Sequence, residues 1–196
     1  MTGNGGQIRV RILSEKGLGA IRLDQKPGSF YVLTLPEGAP EGSGDMFLKG
    51  MEDGRNAPPF FLEDPLPEGL GRSEIKAYGK TVLEKCLDEM VPELQKKLGI
   101  PHVCYSLDCP GKAFGLCSRD GLIRLNPCLV WMRRDVLREA VLHEMNHLLM
   151  QSEDQLFTEH PPAFWENLTM LEPMWPYLEG WMRGRRRAGR KHGICV

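Results

Sequence analysis

Two helical stripes dominate the alternation of apolar and polar positions along this chain. Val82, Leu83, Cys86, Leu87, Met90, Val91, Leu94 and Leu98 recur at three- and four-residue spacing, which predicts a helix over Ser73–Leu98. Ser73 can cap it, Glu74 complements the dipole at its start, and Gly99 with Pro101 ends it. Pro92 falls inside the stripe and is expected to kink or divide the helix. A second stripe, Val136, Leu137, Ala140, Val141, Met145, Leu148 and Leu149, predicts a helix over Arg133–Met150, free of internal glycine and proline. His143, Glu144 and His147 break that stripe on one side.

Elsewhere the pattern is shorter. Ile8–Leu13, Ala20–Leu23 and Ser29–Leu35 read as strands between glycine turns, and Glu37–Gly44 and Glu52–Gly71 as loops. His102–Leu107, Ala113–Cys117 and Gly121–Leu125 are extended in character. Ser118-Arg119-Asp120-Gly121 is a tight-turn signal, so the last two are expected to form a hairpin. After an acidic loop, Gln151–Glu159, the word His160-Pro161-Pro162 opens another helix, and Met174–Arg187 follows as a further one beyond Pro173. No internal repeat or domain-sized linker is apparent.

Composition narrows the class. With 196 residues, 41% hydrophobic and 26% charged, the chain suits one soluble domain with a real core. A net charge of −1 gives no global attraction to nucleic acid or anionic membrane. No apolar run approaches a membrane span, and the polar, glycine-rich start is not a secretory signal, so a cytoplasmic location is expected. Cys86, Cys104, Cys109, Cys117, Cys128 and Cys195 include no Cys-x-x-Cys pair and read as reduced, buried small hydrophobes rather than a second zinc site.

The chemistry lies in His143-Glu144-Met145-Asn146-His147. Residues four apart on a helix stand one turn above each other. Two imidazoles so placed can grip one zinc ion, with Glu144 beside the open coordination position as general base. The pattern predicts a zinc-dependent hydrolase acting on a peptide or protein. A third ligand is needed, and His160 and Glu166 compete for the role, Glu166 lying at the spacing of thermolysin-like enzymes. A metzincin arrangement is excluded, because Met150 stands where it needs glycine and Glu153 where it needs histidine.

Four words in order resemble the YgjP-like metal-dependent hydrolases, small zincin-fold proteins related to the SprT-like peptidases. They are Phe114-Gly115-Leu116-Cys117-Ser118, Gly121-Leu122-Ile123-Arg124-Leu125-Asn126, His143–His147, and His160-Pro161-Pro162-Ala163-Phe164-Trp165. The similarity covers Ser73–Arg187. It implies His160 as the third zinc ligand beside His143 and His147. It also implies a zincin-like α+β fold: a small antiparallel or mixed sheet, a metal-binding active-site helix and a helical C-terminal part. On that basis residues 1–71 form a strand-and-turn region packed on the same domain, 72–187 the metallohydrolase core, and 188–196 a basic tail. Departures from the family pattern include Phe114 for Trp, Leu116 for Ser, Asn146 for a small residue, and a longer link between His147 and His160.

Other readings remain. Tyr105, Arg119, Arg124 and Asn126 lie near the strand region where an oxyanion donor is wanted, without a way to choose among them. The Ala113–Leu125 hairpin can offer a sheet edge to an extended peptide. Arg183, Arg185, Arg186, Arg187, Arg190 and Lys191 read as a solvated helix end, or alternatively as a nucleic-acid contact. Hydrolysis of a nucleotide phosphoanhydride, or a non-catalytic metal-stabilised module that binds protein or DNA, are the competing functions.

Overall fold

The computed structural model describes residues 9–27, 30–57, 62, 68–69, 71–109, 113–150 and 160–191, with the side chains of residues 72, 75, 76 and 187–191 left aside. The acidic loop expected over Gln151–Glu159, most of the loop expected after Ala57, and Cys195 lie outside the described residues.

Helix α3 (Arg134–Leu149) is the element around which the others gather. Val136, Leu137, Ala140, Val141, Leu142 and Met145 are all buried on it. Full burial of such a side chain contributes roughly 1.5–3 kcal/mol, which is why the stripe read from the sequence places this helix in the core. Around it pack α2 (Arg72–Leu98), α4 (Pro162–Leu171), α5 (Trp175–Lys191) and the strands β5 (Gly115–Cys117) and β6 (Leu122–Leu125).

The second sheet holds β4 (Cys104–Ser106), β6 and β5 in the spatial order β4-β6-β5, with β4 parallel and β5 antiparallel to β6. Ile123 and Leu125 are fully buried toward the core. The β5–β6 hairpin closes as the tight-turn signal predicts. Gly121 takes φ 84°, where a side chain would be strained and a Cβ would press on the His102 carbonyl. The first sheet, β1 (Arg9–Glu15), β2 (Arg22–Lys26) and β3 (Phe30–Pro36), has the order β1-β3-β2. Both sheets are mixed, and the architecture is α+β.

Two expectations need correction here. Of the kink or division expected at Pro92, the division does not occur: α2 runs as one helix through it, because Leu83, Leu87, Met90, Val91 and Leu94 keep one face buried on both sides. The loss of one main-chain hydrogen bond is outweighed by that packing. Second, residues 43–56, covered in part by the expected loops, form helix α1 (Ser43–Asn56). Its buried face is made partly of Gly44, Gly50 and Gly54, which read as turn formers in sequence. Gly50 and Gly54 lie against the backbone of Tyr177 and Trp181 in α5, and Gly180 and Gly184 of α5 lie against the backbone of Phe47 and Met51. A Cβ on any of these four glycines would lie 2.0–2.1 Å from a carbonyl oxygen of the opposite helix. Gly180 faces Phe47 and Gly184 faces Met51, so α1 and α5 run parallel.

No helix among the described residues is long and apolar enough to cross a membrane. Cys86 and Cys109 are buried as expected, but Cys104 is exposed, and none of the five described cysteines is in a disulfide.

Candidate metal centre

Helical spacing places His143 and His147 on one face of α3, with ring centroids 5.6 Å apart. The segment before α4 returns His160 over them. Pro161 and Pro162 set the chain direction at the helix start, where a missing N–H costs nothing. His143 Nε2 and His160 Nε2 stand 3.1 Å apart, and one ligand atom from each of the three histidines lies within 4.8 Å of the other two. Nitrogens around a tetrahedral zinc are separated by about 3.3 Å, so the donor set and its spacing fit such an ion. Burial, reinforced by His160 and His147, holds His143 well below its usual pKa, in the neutral form a ligand requires. Among the described residues this is the one group of three or more metal-ligating side chains, and the cysteines do not gather into another.

The aromatic word after His160 forms the backing of the trio. Phe164 lies 4.5–5.0 Å from all three imidazoles, and Trp165 stacks on His160 at 5.4 Å and 22°. Asn146, one of the departures noted in the sequence, is fully buried and ties α3 to α4. It donates to the Phe164 carbonyl at 2.9 Å and accepts from Asn167 at 2.5 Å. Glu166, the rival ligand, is exposed on α4 and outside the histidine group.

Glu144 points from α3 toward β5. Burial pushes its carboxyl up to about 8. Its space exists because residue 115 is glycine: a Cβ there would lie 2.5 Å from Glu144 Oε1. A cavity of about 590 Å³ opens beside it, bordered by Gly19, Ala20, Phe114, Gly115, Glu139, His143, Glu144, Glu179, Arg183 and Arg186. That volume suits a small ligand or a few residues of a peptide.

Four members of that wall went unrecognised as site residues in the sequence. Glu139 stands one turn before His143 on the same helix face, a carboxyl on an otherwise apolar stripe, and that was the available signal. Glu179 and Arg183 pair at 2.7 Å across one turn of α5, and Arg186 lies 4.9 Å over the Phe114 ring. The cationic run is therefore not simply a solvated helix end. Arg185 is buried and donates to the carbonyls of Ala57 at 2.7 Å and Trp131 at 3.1 Å.

The oxyanion-donor candidates are mostly engaged elsewhere. Tyr105 donates to Asp88 at 2.7 Å, Arg124 pairs with Asp108 at 3.0 Å, and Asn126 bridges the Ala113 carbonyl and the Cys128 N–H. Arg119 is exposed. The thiols near Glu144 are poor nucleophiles, since burial raises Cys109 and pushes Cys117 up to about 12.

A family profile described as the YgjP-like metallopeptidase domain matches residues 48–185. No curated protein and no solved structure matches the chain. The match spans well over half of the sequence, and the chain belongs to the YgjP-like metallopeptidase family.

Proposed function

We propose that this chain is a zinc-dependent peptidase on a zincin-like domain, with His143, His147 and His160 as the metal ligands and Glu144 as the general base. Residues 72–187 form the core of that domain, and residues 1–71 pack on it rather than forming a domain of their own. The observation that carries this reading is the convergence of three imidazoles, one of which, His143, shares a cavity wall with the buried carboxyl of Glu144. Zinc at such a centre supplies Lewis-acid polarisation of a carbonyl and an acidified water.

The chain's own residues do the remaining work. Glu144 accepts the proton of the attacking water and returns it to the leaving amine. Burial raises its affinity for that proton above that of an ordinary surface carboxylate, which suits a group that takes a proton and returns it. Gly115 leaves the carboxyl room, while Phe164 and Trp165 hold the imidazoles in place. β5 pairs with β6 on one side, and its outer edge adjoins the cavity at Gly115, so an extended peptide can add there as a further strand.

The polyphosphate alternative fits less well. The cavity wall carries three acids, Glu139, Glu144 and Glu179, against two arginines, and Arg183 is already paired with Glu179. A nucleic-acid role for the basic run also loses support, since Arg183, Arg185 and Arg186 have partners within the domain.

One experiment tests the reading: metal analysis and competitive chelator titration, with hydrolysis of casein and short peptides followed in parallel. Wild type should hold one zinc per chain and lose activity with chelator. His160→Ala should lose most zinc affinity, Glu166→Gln should keep it, and Glu144→Gln should keep zinc while losing turnover by about a hundredfold or more. Retention of zinc by His160→Ala together with its loss from Glu166→Gln would overturn the ligand set. Near-native turnover by Glu144→Gln would remove Glu144 as base.

A further inference from the structure

Not every buried acid of the cavity has a partner. Glu179 accepts from Arg183 at 2.7 Å and from the Ile21 backbone N–H. Glu172, the other nearby acid, pairs with Arg138 at 2.6 Å. Glu144 has its role beside the imidazoles. Glu139 is different: only 2% exposed, it borders the cavity, and its Oε2 has no hydrogen-bond partner.

A buried carboxyl oxygen without a donor costs free energy that an apolar side chain would not incur. Met, Leu or Ala at position 139 would continue the apolar stripe of α3. The carboxyl stands one turn from His143; of the two arginines of the wall, Arg183 is on Glu179 and Arg186 lies over Phe114, and neither donates to Glu139 Oε2. What the position lacks is a compact, multivalent donor entering from the cavity. An ammonium group, with three N–H donors and a positive charge, supplies that, and it would stabilise the ionised form that burial and the neighbouring acids disfavour.

Resting on the peptidase reading, we propose that Glu139 is a substrate-binding residue that holds a primary ammonium group, so that the enzyme selects peptides carrying such a group close to the scissile bond. Two parts of a peptide offer this chemistry, the free N-terminus and a lysine side chain.

The test uses zinc-loaded Glu144→Gln protein and four fluorescent short peptides. They differ only in a free or acetylated N-terminus and in lysine or norleucine at one internal position, and binding is read by anisotropy. At least one ammonium-bearing peptide should bind about tenfold or more tightly than its neutral counterpart. Adding Glu139→Gln should reduce that ratio to near one. Preference for the free N-terminus identifies the α-amine, and preference for lysine identifies a basic side chain. Equal binding of all four peptides, no binding, or a preference that survives Glu139→Gln overturns the proposal. The four-peptide comparison in protein that retains Glu139 does not depend on how the Gln variant folds. Ammonium preference in a protein whose wild type hydrolyses no peptide would sink the peptidase reading and leave Glu139 standing. Hydrolysis by wild type with no ammonium preference would do the reverse.

Discussion

In each three-stranded sheet the last strand in chain order lies in the middle, parallel to the first and antiparallel to the second. Their surroundings differ in what lies against them. Both central strands are partly buried, β3 through Leu33 and Thr34 and β6 through Ile123 and Leu125, whereas the edge strand β1 of the first sheet is exposed at every residue. The second sheet rests directly on α3 and gives Gly115 to the wall beside Glu144. The first is joined to the rest through α1 on α5 and through the Ile21 N–H on Glu179, and gives Gly19 and Ala20 to the cavity. Strand order alone therefore does not decide which sheet builds a site; support from the metal-binding helix does.

The severest way to break this contrast is to separate the first sheet from its anchor. Gly184→Leu forces a side chain against the Met51 carbonyl, where even a Cβ would lie at 2.1 Å. It should lower stability by more than about 4 kcal/mol, read as a shift in urea midpoint. A loss below about 1 kcal/mol would mean that the glycine seam does not join the two parts.

A matched pair sharpens the difference between the two cavity contributions. Gly115→Ala places a Cβ 2.5 Å from Glu144 Oε1, and turnover should fall by about a hundredfold with zinc content kept. Gly19→Ala places one 3.3 Å from His160 Nδ1, a contact that a small shift relieves, and activity should change only by roughly a few fold. Equal losses from the two would erase the distinction.

Stability should follow the same division. Ile123→Thr, at a fully buried position of β6, removes methylene contacts and buries a hydroxyl, at a cost of about 2–4 kcal/mol. Val10→Thr, on exposed β1, should stay within about 0.5 kcal/mol. Chemical denaturation of both variants checks the pair.

The smallest expected effect is in pH dependence. Burial, with the neighbouring acids, raises Glu139 above the ordinary carboxyl value of 4.5, and burial raises Glu179 against the opposing pull of Arg183. The native state then binds more protons than the unfolded chain as pH rises past that value, so stability falls with increasing pH. Glu139→Gln should make the decline of midpoint as pH rises above about 4.5 shallower. An unchanged slope would show that Glu139 is not protonated in the fold.

The contrast also explains what the sequence made legible. α2, α3, the β5–β6 hairpin and the His143–His147 pair were readable because their signals are local: an apolar period, a turn word, a pair of imidazoles one turn apart. His160, 13 positions on, was implied only by the family resemblance. α1 was not, because its buried contacts are made partly by absent side chains, and glycine marks a turn and a helix seam with the same letter. The inward turn of Arg185 and Arg186 was equally hidden. Their partners, Ala57, Trp131 and Phe114, belong to distant stretches of chain, so a run of cations looked like a solvated end. Glu139 was passed over as one polar position on a helix whose other polar groups already had a role.

The glycine seam also orders events during synthesis. Phe47 and Met51 meet Gly180 and Gly184, about 130 residues later in the chain, and helices that touch at their backbones have no substitute surface to offer one another. As the polypeptide leaves the ribosome, the metal-binding helix and the second sheet emerge well before the last helix does. α1, emerging early with three helix-weakening glycines, has only its smaller contact with the first sheet until the far end of the domain is out. Closure of the fold, and with it the covering of the cavity by Gly19 and Ala20, thereby waits until α5 has been made.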